Sequence, residues 1–233
     1  MNIALLGYGK MGKAIETIAI KRGHKIALKV SSDTKEYTLK NIDVAIDFSL
    51  PSSAFENISK CILDNVPIIS GTTGWLEKYN DIVSLCNENK GTFLYASNFS
   101  LGVNIFFELN KTLAKLMKGL PQYNVHIEEI HHTQKLDAPS GTAITLAEEI
   151  INESDYKNWT LESPKPNEIS ILAKRIENVP GTHEINYESE VDSISIKHTA
   201  HSREGFALGA VIAAEWIHDK TGVFTMKDVL NIG

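Results

Sequence analysis

Cysteine is scarce: two residues, Cys61 and Cys86, in a chain of 233. They lie in separate amphipathic helical patterns without C-x-x-C or metal-type spacing, which argues against a disulfide scaffold or thiolate cluster and predicts two buried thiols. A basic excess is also missing. The 23 Lys and Arg face 29 Asp and Glu, a formal net charge of −6, so neither nucleic acid nor an anionic membrane is an expected partner. Binding of small anions must then come from local groups. No apolar run approaches the roughly 20 residues of a membrane span. Met1 leads directly into a strand-like run, with no charged n-region or cleavage site, and a cytoplasmic location is expected. Internal repeats and low-complexity tracts are absent. What remains, with 42% hydrophobic and 22% charged residues, is the composition of a globular protein of one large or two small domains.

Two stretches carry chemistry. In the first, the apolar run Asn2 to Leu6 is followed by Gly7-Tyr8-Gly9-Lys10-Met11-Gly12 and then by Met11, Ile15, Ile18 and Ala19 at helical spacing, ending at Gly23. Strand, glycine turn and helix in this order form a dinucleotide-binding unit. Gly7 permits the tight turn, Gly9 lets the backbone approach a pyrophosphate, and Gly12 allows the helix to pack close to the strand. The bland alternative is a structural glycine turn.

The second stretch runs from Glu128-Glu129-Ile130-His131-His132 through Lys135-Leu136-Asp137-Ala138-Pro139 to Ser140-Gly141-Thr142-Ala143. Ala143, Leu146, Ala147, Ile150 and Ile151 recur with helical period, so a helix begins near Ser140. Its first N–H groups lack intrahelical partners and carry the positive end of the dipole, which suits Ser140, Gly141 and Thr142 to a carboxylate or phosphate oxygen. His131, His132 and Lys135 are expected to face the same anion. A zinc cluster with His126 is disfavoured, because neither His-Glu-x-x-His nor a nearby cysteine accompanies the pair. The pair His198-x-x-His201 has an equally weak metal look, and no metal is expected. Asp137 is expected to fix the turn ahead of Pro139 through its side chain.

Between and beyond these stretches the pattern changes once. Ile26–Val30, Val44–Phe48, Pro67–Ser70 and Thr92–Ala96 read as strands, with helices over Ser52–Asp64 and Trp75–Asn89. This is a doubly wound parallel sheet covered on both faces, lacking a helix in the polar Ser31–Asn41 connection. Asp47-Phe48-Ser49, Gly71-Thr72-Thr73-Gly74 and Ala96-Ser97-Asn98-Phe99 fall at strand ends, where such sheets bind ligands. After Gly102 come a helix over Asn104–Lys118, a strand over Tyr123–Ile130, the Ser140 helix, and alternating runs Glu168–Ile176, Thr182–Val191 and Ser193–His198. They predict an open mixed sheet. Glu128-Glu129 breaks the alternation of Val125 and Ile127, so a bulge or strand exit is expected there, turning His131 and His132 away from the sheet. Arg203–Lys220 reads as a helix rich in Ala and Gly.

These residues together resemble the 4-hydroxy-tetrahydrodipicolinate reductase (dihydrodipicolinate reductase) family. The resemblance rests on His131-His132 through Ala143 and extends through Gly71-Thr72-Thr73-Gly74, Asn98 to Asn104, Gly181-Thr182-His183, Ser202-Arg203 and Phe224 to Leu230. It implies an α/β protein with a Rossmann-like dinucleotide domain over 1–101, completed by 204–233, and a smaller α+β substrate and oligomerisation domain over 102–203. It implies NAD(P)H-dependent reduction of a small cyclic dicarboxylate in diaminopimelate and lysine biosynthesis, and a homotetramer. By resemblance, His131 and Lys135 are the proton donors. His132, Ser140, Gly141, Thr142 and Arg203 hold the substrate, Arg203 being alternatively a structural hinge. Gly7, Tyr8, Gly9, Lys10, Met11, Gly12, Ser31, Ser32, Gly71, Thr72, Thr73, Ala96, Ser97, Asn98 and Phe99 line the cofactor, NADPH or NADH.

One position departs from the family. The second strand ends in Ser31-Ser32, with Asp33 late, where many dinucleotide sites carry an acidic ribose clamp. Loss of that carboxylate removes a repulsion against a 2′-phosphate, so use of both nucleotides is expected. Two rivals are weaker. An aspartate-semialdehyde-like dehydrogenase needs a cysteine nucleophile, and neither cysteine lies in a suitable turn. A nucleotide-sensing regulator has no use for the proton donors.

Overall fold

A computed structural model describes residues 1–202 and 204–232. In chain order the elements are β1 (Asn2–Leu6), α1 (Lys10–Lys21), β2 (Lys25–Val30), β3 (Val44–Asp47), α2 (Pro51–Leu63), β4 (Ile68–Ser70), α3 (Tyr79–Glu88), β5 (Thr92–Tyr95), α4 (Leu101–Met117), β6 (Asn124–His131), α5 (Gly141–Glu153), β7 (Asn158–Thr160), β8 (Glu168–Arg175), β9 (Gly181–Glu188), β10 (Ser193–Ala200), α6 (Glu204–Ile217), β11 (Gly222–Phe224) and α7 (Met226–Leu230). They form two compact units. One holds Met1–Asn104 and the chain from Glu204 onward; the other begins at Ile105.

The first unit is built on a parallel sheet in the order β11-β5-β4-β3-β1-β2. The chain steps from β1 to β2 and then returns to β1's other side with β3, so strand order reverses there. Ligands of such sheets bind beyond the carboxyl ends at this reversal. The inner strands β1, β3, β4 and β5 are buried almost throughout because both faces are covered, whereas the edge strand β2 alternates. On one face α1 and α6 bring Ile15, Ala19, Ala210 and Ala214 to Ile3, Leu5 and Ile46. On the other, α2 and α3 bring Ile58, Cys61, Ile82 and Cys86 to Ala4, Leu6 and Phe93. Both thiols are therefore core groups.

Local chemistry sets the element ends. Gly23 at φ +86° ends α1, with the His24 N–H donating to the Ala19 carbonyl at 2.9 Å. The helix predicted from Trp75 instead opens as a single 3₁₀ turn at Leu76–Lys78, because the buried Trp75 indole N–H is tied to the Thr72 carbonyl at 2.7 Å. The helix predicted from Asn104 starts earlier, at Leu101: Ser100 caps it, its carbonyl accepting from the Asn104 N–H and its hydroxyl from Val103. The helix predicted over Arg203–Lys220 is Glu204–Ile217 among the described residues. The three-residue strands β7 and β11 have no counterpart in the sequence pattern.

The second unit is an open mixed sheet in the order β10-β9-β6-β8-β7, with β6, β8 and β7 parallel and β9 and β10 antiparallel. Phe106, Ala114 and Met117 of α4 and Ala143, Leu146, Ala147 and Ile150 of α5 pack on Val125, Ile127, Ile171 and Ile185. The predicted bulge at Glu128-Glu129 is absent. The β6 register with β8 and β9 runs unbroken past both residues, and β6 continues through His131. The alternation is intact, but Glu129 and His131 occupy inward positions where apolar residues were expected. A carboxylate in the core row, not a shift of the backbone, produced the apparent break in phase. No helix among the described residues is long and apolar enough to cross a membrane.

Candidate active site

In the first unit the glycine turn connects β1 to α1 as its spacing requires. Gly7 sits at φ +100°, and a Cβ there would lie 2.1 Å from the Phe48 carbonyl oxygen. A Cβ on Gly12 would lie 2.4 Å from the Gly7 carbonyl, so helix and turn touch through backbone. Gly9 is different: a Cβ there would meet no atom within 4 Å. It is the N-cap of α1, offers no side-chain cap, and no acidic residue follows in the first turn. The helix start thus presents N–H groups and the positive dipole end, a donor set that fits a pyrophosphate. Lys10 is exposed and Met11 half-buried beside it.

The other strand ends join this rim. The Gly7 N–H donates to Val30 at 3.0 Å, just before Ser31 and Ser32, which are both exposed; the Ser31 N–H donates to Thr34 Oγ1 at 3.0 Å. Phe48 leans on Phe99 with ring centroids 5.6 Å apart, and a Cβ on Gly71 would meet the Phe48 ring at 2.3 Å. Thr73 and Ser97 are exposed, Ala96 and Asn98 half-buried; Thr72 and Phe99 are buried, leaving chiefly their backbones to face outward. Asn98 is committed to the chain reversal, its Oδ1 accepting from the Ser100 N–H at 2.8 Å.

Two groups in this rim went unassigned from the sequence. Asp47, wholly buried, accepts from Thr72 Oγ1 at 2.7 Å, Ser70 Oγ at 2.8 Å and Asn57 Nδ2 at 3.2 Å. Burial pushes its carboxyl above the ordinary range, against the pull of these donors. It fixes the turn after β4 to the end of β3. Lys29 lies 2.6 Å from Glu16 and stacks 4.6 Å over the Tyr8 ring, whose hydroxyl also donates to Glu16. Tyr8 is thereby fixed between α1 and β2.

In the second unit His131 ends β6 and Ser140 caps α5, its hydroxyl accepting the Ala143 N–H at 3.2 Å. Between them stands Glu129, fully buried. Both of its oxygens accept the Ser140 N–H at 3.1 Å, and Oε1 accepts from Arg175 Nη2 at 3.1 Å. His131 Nδ1 lies 3.2 Å from Oε2, close but not aligned as a hydrogen bond, so this contact is electrostatic. Burial alone would raise the Glu129 carboxyl. The contacts from His131, Ser140 and Arg175 overcome it and bring the group down to about 2. His183 Nε2 lies 3.1 Å from the Ser140 hydroxyl, and its ring meets His131 edge-on at 5.0 Å. Burial, then the neighbouring His131, pushes His183 down to about 4, so it is neutral at neutral pH.

Lys135 pairs with Asp137 at 2.8 Å, which lowers the Asp137 carboxyl. The Asp137 carboxylate also accepts from its own backbone N–H, in keeping with the expected turn role, and its carbonyl accepts from Arg175 Nη2 at 2.6 Å. Arg175 Nε also donates to the Lys135 carbonyl at 3.3 Å. Ser140 is buried with its hydroxyl engaged inside the protein, whereas Gly141 is exposed, Thr142 half-buried, and a Cβ on Gly141 would meet nothing within 4 Å. His132 lines a separate hollow of about 520 Å³ with Thr133, Gln134, Asn178, Pro180 and Ser202. The structure thus gathers His131 and Ser140 around Glu129 and sets His132 apart. Arg203 lies outside the described residues.

Sequence reasoning missed Glu129, Arg175 and His183 as site residues. Glu129 and His131 at i, i+2 on a strand share a face, and that spacing was available. His183 was noticed only within a resemblance, and Arg175 carried no signal. Glu129, His131 and His183 offer three possible metal-ligand atoms within 4.8 Å of one another. However, both Glu129 oxygens already accept N–H groups, and the Arg175 guanidinium supplies the positive charge that a metal would bring.

The chain was compared with known proteins. Residues 1–99 match the family model described as dihydrodipicolinate reductase, N-terminus, and residues 102–230 that described as dihydrodipicolinate reductase, C-terminus. The 4-hydroxy-tetrahydrodipicolinate reductase of Christiangramia forsetii is 58% identical over 234 residues, covering 99% of this chain and 98% of the relative. That of Rickettsia canadensis is 37% identical over 242 residues, covering 100% and 99%. Among solved structures, dipicolinate-bound dihydrodipicolinate reductase from Paenisporosarcina sp. TG-14 superposes with a TM-score of 0.76 at 22% identity over 97% of both chains, a likeness of fold.

Proposed function

Because the chain belongs to the dihydrodipicolinate reductase family, and is thereby an oxidoreductase, we propose that it reduces 4-hydroxy-tetrahydrodipicolinate to tetrahydrodipicolinate in diaminopimelate and lysine biosynthesis. The observation that carries the reading is the meeting of His131 and the Ser140 cap at one buried carboxylate, Glu129. A proton donor and an anion-binding helix start are thereby held in one small region. A cyclic dicarboxylate that gains a proton upon reduction calls for both.

The family's cofactor is a nicotinamide dinucleotide, and the residues after β1 fit its pyrophosphate. Gly7 to Gly12 and the backbones of Gly71 to Thr73 and Ala96 to Phe99 would hold it; when bound, it supplies the hydride. Ser31 and Ser32 stand at the ribose and put no carboxylate against a 2′-phosphate, so NADPH and NADH are both accepted. The 4-hydroxyl leaves as water to give a conjugated dihydro ring, and hydride addition to that ring leaves negative charge that must be met by a proton. His131 donates it, general acid catalysis contributing roughly 10²–10⁴ in rate, with Lys135 as the second donor. Asp137 holds the Lys135 ammonium in place until the substrate carboxylate arrives. The Gly141 and Thr142 N–H groups, with His132 and Arg203, bind the substrate carboxylates, and Ser140 shapes the turn that presents them.

The protein acts in the cytoplasm on a small molecule. It assembles as a homotetramer through the second sheet, where Leu172, on the face turned away from α4 and α5, is left 50% exposed. The test is loss of nicotinamide absorbance with enzymatically generated substrate, run once with NADH and once with NADPH. Turnover with neither would overturn the reading.

A further inference from the structure

Glu129 and Arg175 lie on neighbouring parallel strands, β6 and β8, and between them touch His131, Ser140, His183 and the segment from Lys135 to Asp137. Glu129 receives the Ser140 N–H and faces His131 Nδ1. Arg175 donates to Glu129 through Nη2, to the Asp137 carbonyl through the same nitrogen, and to the Lys135 carbonyl through Nε. The segment that carries Lys135 has little else to hold it: Leu136 is 96% exposed, and the Asp137 side chain is 59% exposed. We propose that the Glu129–Arg175 pair is the positioning clamp of this site, with Glu129 orienting the His131 ring and the helix start while Arg175 fixes the backbone that carries Lys135. This rests on the assignment of His131 and Lys135 as proton donors.

Two physical arguments favour positioning over mere stability. A buried ion pair is weak evidence of stabilisation, because desolvating both charges offsets their attraction; an apolar pair of similar volume often serves a core as well. The contacts of this pair are also specific to geometry. An arginine fork can bridge two carbonyls and a carboxylate at fixed angles, which a lysine cannot. A buried carboxylate 3.2 Å from an imidazole nitrogen restricts the orientation of the ring. The other charged or titratable groups facing this pair are His183 from β9 and Lys135 with Asp137 from the connecting segment.

The experiment compares wild type with Glu129→Gln, Arg175→Met and the double variant, reading kcat, KM for the dicarboxylate, nucleotide affinity and melting temperature. In Glu129→Gln, kcat should fall by about 30-fold or more. Nucleotide affinity should stay within about twofold of wild type, since the clamp contributes to kcat and not to uniform binding. KM for the dicarboxylate should change by less than about threefold, so that the loss falls on kcat. The single variants leave a buried charge unpaired and are expected to melt early; the double variant removes both charges and should recover most of the melting temperature. Its kcat should nevertheless stay low. Recovery of kcat to within about threefold of wild type alongside stability would make the pair structural and overturn the proposal. So would a loss in Glu129→Gln confined to KM, with kcat within about threefold of wild type. A wild-type protein without turnover would instead overturn the reductase reading, and this inference with it.

Discussion

Gly209 of α6 approaches the backbone of Phe99 so closely that a Cβ built on it would lie 1.7 Å from the Phe99 carbonyl oxygen. No rotamer relieves a clash between two backbone segments. Gly209→Ala should therefore destabilise the first unit by about 3 kcal/mol or more, the upper range of overpacking. The urea midpoint followed by Trp216 fluorescence checks this. A loss below about 1 kcal/mol would mean that α6 does not rest on this loop.

The proposed use of both nucleotides turns on the end of β2. Ser31→Glu restores a carboxylate next to the Gly7 turn, where it accepts from a ribose hydroxyl and repels a 2′-phosphate. The ratio of kcat/KM for NADPH over NADH should fall by about tenfold, chiefly through KM for NADPH. A ratio that stays constant would place the ribose away from Ser31.

The proposed proton donors should be separable from the proposed nucleotide site. His131→Ala and Lys135→Ala should each lower turnover by roughly 10²-fold or more while leaving nucleotide affinity nearly intact, because their motif lies in the second unit. Stopped-flow titration of bound nucleotide provides the control. Near wild-type turnover in both variants would remove them from the chemistry.

Stability of the second unit should depend on pH through His183. Its folded pKa of about 4 lies below the ordinary imidazole value, so between roughly pH 6.5 and 4 the unfolded chain binds a proton that the folded chain refuses. Stability is therefore complete above this window and declines as pH falls through it, by an amount of the order of 3 kcal/mol at the acid end. Glu129 adds a second loss at lower pH, as its carboxylate is protonated on approach to about 2. Hydrogen-exchange protection of the β6 and β9 amides at pH 7 and pH 5 reads the first effect. His183→Gln should flatten it, and equal pH sensitivity in both proteins would assign the loss to other groups.

The sequence by itself determined what depends on neighbours along the chain. The glycine turn after β1, the apolar strands of the first sheet, the Ser140 helix start and the burial of both cysteines all follow from local pattern, because a turn, a cap or an amphipathic face is specified within one or two helical turns. The family resemblance was carried by short runs for the same reason. Tertiary structure decided what depends on residues far apart. Whether Glu129 marks a bulge or a core position was settled only by its partners: Ser140, 11 residues on, and Arg175, 46 residues on. A buried carboxylate mimics a break in alternation until the cation that neutralises it is seen. Likewise Gly209 reads as one more small residue in an apolar helix until the Phe99 carbonyl, more than a hundred residues earlier, is brought against it. Long-range pairing of charge and close backbone approach leave no periodic trace in sequence; here the first sets Glu129 beside His131 and the second seats α6 on the Phe99 backbone.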